Sequence, residues 1–314
     1  MRLAPLPFAL LFAAAAAAAP VAYITDQGSH DVSVVDGDSL QVVGRIPAGR
    51  EPAGVAVSPA AGKAFVSSPG SGSVSIIDLA GGGAVTLALG GTPVGIAADP
   101  DGRRFYVADW HGGTLHVLSA AGSPLASIPV GRVPAGIAVA PDGRTVYVAN
   151  RDDDNVAVVD AERLAVVAAL PAGRHPFALA VTPCGSRLLA LNVESDDVTI
   201  FDTATRQPLA TVPVGRAPYG VAIDAAGRRA FVTNQQGASV SVIDLASLTV
   251  AATWPTAEYP EGIAWDAARG GRLWVVSWME DAVALHDAAT GRPTGRVAVG
   301  RNPRAFGTFL AERR

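Results

Sequence analysis

The stretch VPAGIAVAPDGRTVYVANRDDDNVAVVDAERLAVVAALPAG, residues 133–173, contains four short apolar runs separated by turn-forming residues. The separators include Pro-Asp-Gly at 141–143 and a polar, acidic tip at 150–155. Because β-branched residues favour strands, whereas Pro, Gly, Asn and Asp favour tight turns, the stretch predicts a four-stranded antiparallel unit. We place its strands at 137–139, 146–149, 156–159 and 165–170.

The same unit recurs along the chain, marked by an anchor proline with a small residue two places after it. The spacings are 41 to 43 residues, and the anchors are Pro52, Pro93, Pro134, Pro176, Pro218, Pro260 and Pro303. A period of about 40 to 45 residues with four strands per unit is typical of propeller blades. The sequence therefore predicts an all-β, seven-bladed β-propeller with four-stranded antiparallel blades.

The repeats are out of phase with the ends of the chain. Residues 21–48 supply three strands without an inner strand, whereas residues 304–310 supply an inner strand alone. We therefore predict a closing blade made from the C-terminal strand plus the three N-terminal strands, which pairs two sheet edges that would otherwise stay open. Residues 20–314 are predicted to form a single propeller domain, because a ring of repeats shares one continuous core.

Residues 1–19 combine a positive start at Arg2, a short apolar centre and an alanine run that ends at Ala19. This pattern predicts a signal peptide that is removed on export, so we expect a periplasmic or secreted protein without a membrane span. The formal net charge of −4, without a basic run, argues against nucleic acid as a partner. Cys184 is the sole cysteine, which excludes an intramolecular disulfide, and we expect a buried free thiol.

The predicted second strands end in similar tetrapeptides. They are YITD (23–26), FVSS (65–68), YVAD (106–109), YVAN (147–150), LALN (189–192), FVTN (231–234) and WVVS (274–277). With the runs VSVVD, VSIID, VAVVD and VSVID that follow, the chain resembles the YVTN-type β-propeller repeat family, which includes the exported YncE-like proteins of bacteria. The resemblance covers residues 21–310. It implies the fold but leaves the ligand open, because that family includes many members with unassigned ligands.

Most polar residues recur from blade to blade and are expected to serve the fold. Aspartates at the ends of the third strands should accept hydrogen bonds from their own turns: Asp36, Asp78, Asp160, Asp202, Asp244 and Asp287. The acidic hairpin tips could bind Ca²⁺, but no known loop spacing supports this, and we expect solvated turns.

Candidate site residues are sought in the loops that lead into the inner strands and at the hairpin tips between second and third strands, which share one face of the propeller. Two places before the anchor proline, five blades carry arginine: Arg50, Arg132, Arg174, Arg216 and Arg301. Such a ring of guanidinium groups could bind carboxylate or phosphate. The alternative is that each arginine covers the adjoining blade and pairs with an acidic tip.

The residue after the anchor proline breaks the repeat. Three successive blades carry small or plain residues there, whereas the next four carry Phe177, Tyr219, Glu261 and Arg304. With neighbouring polar and aromatic residues they predict one ligand-binding sector: Arg174, His175, Phe177, Arg216, Tyr219, Tyr259, Glu261, Trp278, Arg301 and Arg304, with His30 as a possible further member. The alternative is that the aromatic side chains merely fill gaps between blades.

The predicted function is an exported, non-enzymatic binding or scaffold propeller that holds a small anionic ligand or a partner protein segment, as a monomer without cofactor or metal. No metal-ligand spacing, phosphate loop or nucleophile elbow is present in the sequence. Propellers that resemble this one occur as lactonases and as cofactor-carrying oxidoreductase domains, so the alternative is a lactonase-like hydrolase or a redox-cofactor accessory. In that case Glu261 would act as acid or base, and His175 as base or ligand. A weaker alternative is single-stranded nucleic-acid binding on Trp110, Tyr259 and Trp278.

Overall fold

The computed structural model describes residues 19–267 and 270–311. Within those residues the strands form seven sheets, each with a four-stranded antiparallel core, and the inner strands of successive sheets pack against one another. This is an all-β, seven-bladed propeller, and it confirms the predicted fold class. None of the helices in the described residues is long and apolar enough to cross a membrane. The predicted signal peptide lies outside these residues, apart from Ala19, which is buried.

Strands are numbered in chain order, and blades are numbered from the first anchor proline. The closing blade contains β1 (Val21–Asp26), β2 (Asp31–Asp36) and β3 (Gln41–Pro47). Blade 1 contains β4 (Gly54–Ser58), β5 (Lys63–Ser68), β6 (Ser73–Asp78) and β7 (Ala84–Ala88). Blade 2 contains β8 (Pro93–Ala98), β9 (Arg104–Asp109), β10 (Thr114–Ser119) and β11 (Pro124–Pro129). Blade 3 contains β12 (Pro134–Val139), β13 (Thr145–Asn150), β14 (Asn155–Asp160) and β15 (Ala165–Pro171).

Blade 4 contains β16 (Pro176–Val181), β17 (Arg187–Asn192), β18 (Asp197–Asp202) and β19 (Pro208–Pro213). Blade 5 contains β20 (Pro218–Ile223), β21 (Arg229–Asn234), β22 (Ser239–Asp244) and β23 (Thr249–Pro255). Blade 6 contains β24 (Pro260–Asp266), β25 (Arg272–Ser277), β26 (Ala282–Asp287) and β27 (Pro293–Ala298). The C-terminal segment adds β28 (Phe306–Thr308) and β29 (Leu310–Ala311). Three hairpin tips carry a single 3-10 turn, at Pro69–Ser71, Arg151–Asp153 and Gln235–Gly237.

The inner strands carry a bulge just after the anchor proline. In blade 3, Pro134 pairs with Asn150, and the next pair is Ile137 with Val148, so three residue steps oppose two. The same shift recurs in blades 2, 4, 5 and 6. A bulge releases its extra residue from regular pairing and re-aims the side chain. The residue after the proline, where the repeat breaks, is therefore placed by the bulge.

The second residue after the proline is small because the inner strands converge. A β-carbon on Gly95 would lie 1.8 Å from the carbonyl oxygen of Ala135, and one on Gly136 would lie 2.3 Å from that of Phe177. Both distances are far shorter than a van der Waals contact between carbon and oxygen, so a larger residue would clash with the neighbouring blade. Gly54, Gly220 and Gly262 face the next blade's backbone in the same way.

Hydroxyl groups in the second strands join the bulge to the next blade. Thr233 Oγ1 accepts the backbone N–H of Gly220 at 2.8 Å and donates to the carbonyl oxygen of Glu261 at 2.8 Å. The same pair of bonds is made by Ser67, with Gly54 and Val94, and by Thr25, with Ala305 and Ala53. Because a buried backbone N–H needs an acceptor, these hydroxyls stabilise both the bulge and the contact between blades.

The ring closes as predicted, although the C-terminal segment pairs with strands of two different blades. Leu310–Ala311 (β29) pairs antiparallel with β1, which completes the closing blade. Phe306–Thr308 (β28) instead pairs parallel with β4 of blade 1. An isolated bridge between Asp26 and Pro303 adds a third link. The expected single inner strand over 304–310 is therefore two short strands that join neighbouring blades.

The recurring aspartates serve the turns after the third strands, as predicted. Asp160 Oδ1 accepts the backbone N–H groups of Glu162 and Arg163, at 3.0 and 2.8 Å. These backbone hydrogen bonds lower the pKa of Asp160, although burial opposes the effect. Equivalent bonds are made by Asp36, Asp78, Asp202, Asp244 and Asp287.

The prediction for Cys184 is wrong, because the side chain is exposed. It occupies the turn between β16 and β17, where blade 3 has Asp142, and a turn tip faces solvent. Hydrogen bonds from Ser186 and Thr182 lower the pKa of the thiol to about 7.

Candidate functional site

Three aromatic rings from different parts of the chain meet where the inner strands begin. The ring centroids of Phe177 and Tyr219 are 4.4 Å apart, and Phe306 lies 4.8 Å from Phe177. Trp110, from blade 2, contacts Phe177 edge-on at 6.0 Å. Blades 2, 4 and 5 and the C-terminal segment can meet in this way only across the axis. Phe177, Tyr219 and Phe306, each at most 7% exposed, therefore form an aromatic plug in the axial opening.

Beside the plug, Glu261 is fully buried and ion-paired with Arg304. Arg304 donates from Nε to Oε2 at 2.8 Å and from Nη2 to Oε1 at 3.2 Å, and Gln235 Nε2 donates to Oε1 at 2.9 Å. The guanidinium lies 5.9 Å from the Tyr219 ring. Burial raises the pKa of Glu261, and the positive charge of Arg304 opposes that rise. Both carboxylate oxygens are thus engaged inside the fold.

The five arginines before the anchor prolines clamp the hairpin tips. Arg174 Nη2 donates to the carbonyl oxygen of Glu194 at 3.0 Å, and Arg301 Nη2 donates to that of Gly28 at 2.8 Å. Arg50 and Arg132 bind the carbonyls of Gly70 and Asp152, and Arg216 binds the side-chain oxygen of Gln236. We call these five residues the arginine clamp. All five side chains are exposed. Among residues 19–267 and 270–311, Arg132 is the only one of the five that forms an ion pair, and its partner is Asp153.

Four hairpin-tip residues, three of them aspartates, each latch one blade to the next. Ala217 has a left-handed backbone, with φ of 53°, and its N–H donates to Asp196 Oδ1 at 2.8 Å. The backbone N–H groups of three further residues donate in the same way to a side chain 21 residues earlier: His175 to Asp154, Asn302 to Asp281 and Glu51 to Nδ1 of His30. These tip residues, which we call latch residues, have hydrogen-bonding partners in the fold. His30 belongs with them as an acceptor.

The remaining predicted residues form a partly exposed rim. His175 Nδ1 lies 2.7 Å from Glu194 Oε1. The rings of Tyr259 and Trp278 are 5.7 Å apart, and both side chains are half-buried. Trp278 Nε1 donates to Gln27 Oε1 of the closing blade at 3.2 Å.

The ten predicted residues thus separate into three groups. The buried group is Phe177, Tyr219, Glu261 and Arg304; the clamp group is Arg174, Arg216 and Arg301; and the rim group is His175, Tyr259 and Trp278. The structure brings the buried group together, but as packing and an internal ion pair. Within the described part of the chain, no group of three or more His, Cys, Asp or Glu side chains is placed to hold a metal ion.

Sequence reasoning missed Phe306 and Gln235. Phe306 stands three places after its anchor proline, where the other blades have aliphatic residues such as Ile137 or Leu179. Phe306 is the only aromatic residue at this position of the repeat, and that difference could have identified it from the sequence. Gln235 follows FVTN directly, and its contact with Glu261 joins blades 5 and 6.

Comparison with known proteins supports the architecture. A family model described as "Lactonase, 7-bladed beta-propeller" matches residues 123–210, which run from the last strand of blade 2 into that of blade 4. No curated protein matches the chain significantly. Solved structures match over nearly the whole chain, and their low sequence identities limit the likeness to the fold.

Kuenenia stuttgartiensis hydrazine synthase superposes with a TM-score of 0.75 at 20% identity, over 90% of this chain and 99% of that one. A functionally unknown protein from Desulfotomaculum acetoxidans DSM 771 gives 0.75 at 16% identity, over 91% and 99%. The dihydro-heme d1 dehydrogenase NirN, in complex with DHE, gives 0.67 at 18% identity, over 98% and 78%.

Proposed function

We propose that this chain is an exported, non-enzymatic binding or scaffold propeller that holds an anionic ligand on the face bearing the arginine clamp. The ligand is a small organic anion or an acidic segment of a partner protein. The observation that carries the proposal is that Arg50, Arg174, Arg216 and Arg301 are held by uncharged oxygens. Such contacts fix a guanidinium without neutralising its charge.

The clamp leaves each arginine able to bind a second group. A guanidinium has five N–H donors, and the clamp bond uses one of them. Because the side chain is already held, less conformational entropy is lost when an anion binds. The rim rings of Tyr259 and Trp278 add flat apolar surface nearby. This face therefore presents guanidinium groups and aromatic contact area beside the acidic latch residues, in a protein of formal net charge −4.

The aromatic plug restricts where the ligand can lie. Phe177, Tyr219 and Phe306 occupy the axial opening, so a ligand on this face rests on the rim rather than in a deep funnel. A group with several carboxylates can then contact more than one guanidinium at once. This geometry favours an extended acidic segment or a polycarboxylate over a compact monoanion.

The test compares charge removal on the two faces of the propeller. The site variant is Arg174→Gln/Arg216→Gln/Arg301→Gln, and the matched control is Arg144→Gln/Arg228→Gln/Arg292→Gln, three exposed arginines in turns at the other ends of the strands. Binding of citrate and of a fluorescent poly-glutamate peptide is measured at low and physiological salt. We expect about tenfold weaker binding for the site variant, from three exposed ion pairs of about 0.5 kcal/mol each. Equal binding by the site variant and the parent would refute the proposal.

A lactonase-like hydrolase or redox-cofactor accessory is the second candidate. It is supported by the family-model match over residues 123–210, and its acid or base would be Glu261. The geometry favours it less, because Arg304 and Gln235 already engage both oxygens of that buried carboxylate. Protein purified from its own organism would be examined for visible absorbance, for metal and for lactone hydrolysis. Colourless, metal-free protein without hydrolytic activity would exclude this candidate.

A further inference from the structure

A second opening lies at the other end of the axis, away from the arginine clamp. It leads into a cavity of about 660 Å³, bounded by the inner strands of blades 2 to 6 and by residues 306–310. We call this cavity the axial pit. Phe306 lines the pit and also belongs to the aromatic plug. The plug therefore closes the inner end, and the pit is open only on the face opposite the clamp.

The side chains that line the pit are almost entirely apolar. Aliphatic side chains from the successive blades 3, 4 and 5 face it half-exposed, among them Ile137, Val139, Val181, Val221 and Ile223. Of the described residues that line it, only Thr308, Trp265 and Asp266 carry side-chain polar atoms. A cavity of this volume, lined by apolar side chains, is large enough to hold a small organic molecule.

One buried hydrogen-bond donor of the lining lacks an acceptor. Nε1 of Trp265 has no hydrogen-bond partner among the described residues. Buried tryptophan N–H groups are normally paired, because burying an unpaired donor is costly. The neighbouring carboxylate of Asp266 is bound by Arg272 Nε at 3.0 Å and by Trp274 Nε1. Nε1 itself has no accessible surface and lies beside Gly271, which does not line the pit, so a molecule in the pit cannot accept from it.

We propose that the axial pit binds an uncharged, mainly apolar small molecule. No basic side chain lines the pit among the described residues, and the carboxylate of Asp266 stands at its edge. An anion would lose its hydration there without gaining a counter-charge. The site is therefore chemically opposite to the clamp face, and it does not depend on the function proposed for that face.

Ala97 and Ala180 allow the pit to be filled without disturbing the core. Both line the pit half-exposed, and neither belongs to a hydrophobic cluster of the interior. The test variant is Ala97→Phe/Ala180→Phe. The control, Val85→Phe, adds a ring on the outer strand β7, where the side chain is 62% exposed.

Binding is measured with two uncharged fluorescent probes, N-phenyl-1-naphthylamine and the ketone 6-propionyl-2-dimethylaminonaphthalene. We expect saturable one-to-one binding to the parent and to Val85→Phe, and at least tenfold weaker binding to the filled variant at unchanged melting temperature. Absence of saturable binding to the parent, or equal binding by the filled variant, would overturn the proposal.

Two other occupants are distinguished in the same experiment. Residues 1–19 directly precede Pro20, which lines the pit, so the chain that starts at Pro20 is measured beside the full chain. A second copy would show as a dimer by sedimentation that the filled variant abolishes. If the chain starting at Pro20 fails to bind either probe, or if dimerisation alone responds to filling, the pit is not a small-molecule site.

Discussion

Arg304 holds the buried carboxylate of Glu261 through two hydrogen bonds, 2.8 and 3.2 Å long. The pair joins the start of the C-terminal segment to the inner strand of blade 6, beside the aromatic plug. Because Glu261 has no access to solvent, its charge is compensated by Arg304 and by the amide of Gln235 alone. The residues that look most like a binding site in the sequence thus stabilise the centre of the ring.

Replacing Arg304 by alanine is expected to destabilise the protein by about 3–5 kcal/mol, because it leaves a buried carboxylate unpaired. Glu261→Gln/Arg304→Ala should lose less, since no buried charge remains. The measurement is urea unfolding of both variants, with Arg292→Ala as an exposed control that changes stability by less than about 0.5 kcal/mol.

The loss in Arg304→Ala should also depend on pH. Burial raises the pKa of Glu261, so the folded state holds that proton more tightly than the unfolded chain, and stability falls as pH rises above the ordinary range of a glutamic acid. Unfolding at pH 5 should therefore show a smaller defect than at pH 8. Equal defects at the two values would mean that Arg304 acts by packing alone.

The latch residues should stabilise the contacts between blades through one acceptor each. In Asp196→Ala the backbone N–H of Ala217 loses its partner, which we expect to cost about 1–2 kcal/mol. Asp196→Asn keeps an acceptor oxygen and should behave nearly like the parent. Because Asp196 has φ of 55°, Asp196→Gly separates backbone strain from the lost bond. An alanine variant as stable as the asparagine variant would show that the bond contributes nothing.

Deleting residues 306–314 should open the ring. The deletion removes the pairing with β1 and β4 and the buried rings of Phe306 and Phe309. At about 3–5 kcal/mol per buried phenylalanine and about 2–4 °C per kcal/mol, the melting temperature should fall by at least about 10 °C. Removing only residues 312–314, which lie outside the described strands, is the matched control. Equal melting temperatures for the two truncations would contradict the closure.

The repeat made the fold predictable, whereas the site was predictable only in part. A 41-residue unit such as 133–173 shows its strands and turns directly, because each blade repeats the same local chemistry. The residues at the break in that repeat, Phe177, Tyr219, Glu261 and Arg304, lie close together in the structure. Whether those side chains face solvent or one another depends on contacts between distant blades.

The arginines illustrate the same limit. A sequence shows that Arg174 and Arg301 recur at equivalent positions, but not that their acceptors are backbone carbonyls. The division of the C-terminal strand, and with it the second role of Phe306, depends on how two neighbouring blades share five residues. These features arise from packing around the axis, which local patterns do not encode.

Asp26 occupies a position where blades 3, 4 and 5 carry asparagine, at the end of the second strand. Its side chain is fully buried in the closing blade, with Ser33 Oγ donating to Oδ2 at 2.5 Å and Arg45 Nη1 at 3.7 Å. Oδ1 has no hydrogen-bond partner among the described residues. Burial, helped by the nearby carboxylate of Asp31, raises the pKa of Asp26 from 3.8 to about 7, although Ser33 and Arg45 oppose the rise.

Asp26→Asn is therefore expected to stabilise the protein above pH 7. The raised pKa means that the folded state binds the Asp26 proton more tightly than the unfolded chain does, so this contribution is complete below pH 3.8 and is lost as pH rises towards about 7. Asparagine is uncharged throughout and can donate to Asp31, as Asn192 donates to Asp197 in blade 4. Urea unfolding at pH 5 and pH 8 should show a gain for the variant at pH 8 and little difference at pH 5. Ser33→Ala removes a hydrogen bond that favours the charged form of Asp26, so the loss of stability should continue to higher pH in this variant than in the parent. If Asp26→Asn keeps the parent's full pH dependence of stability, another group is responsible.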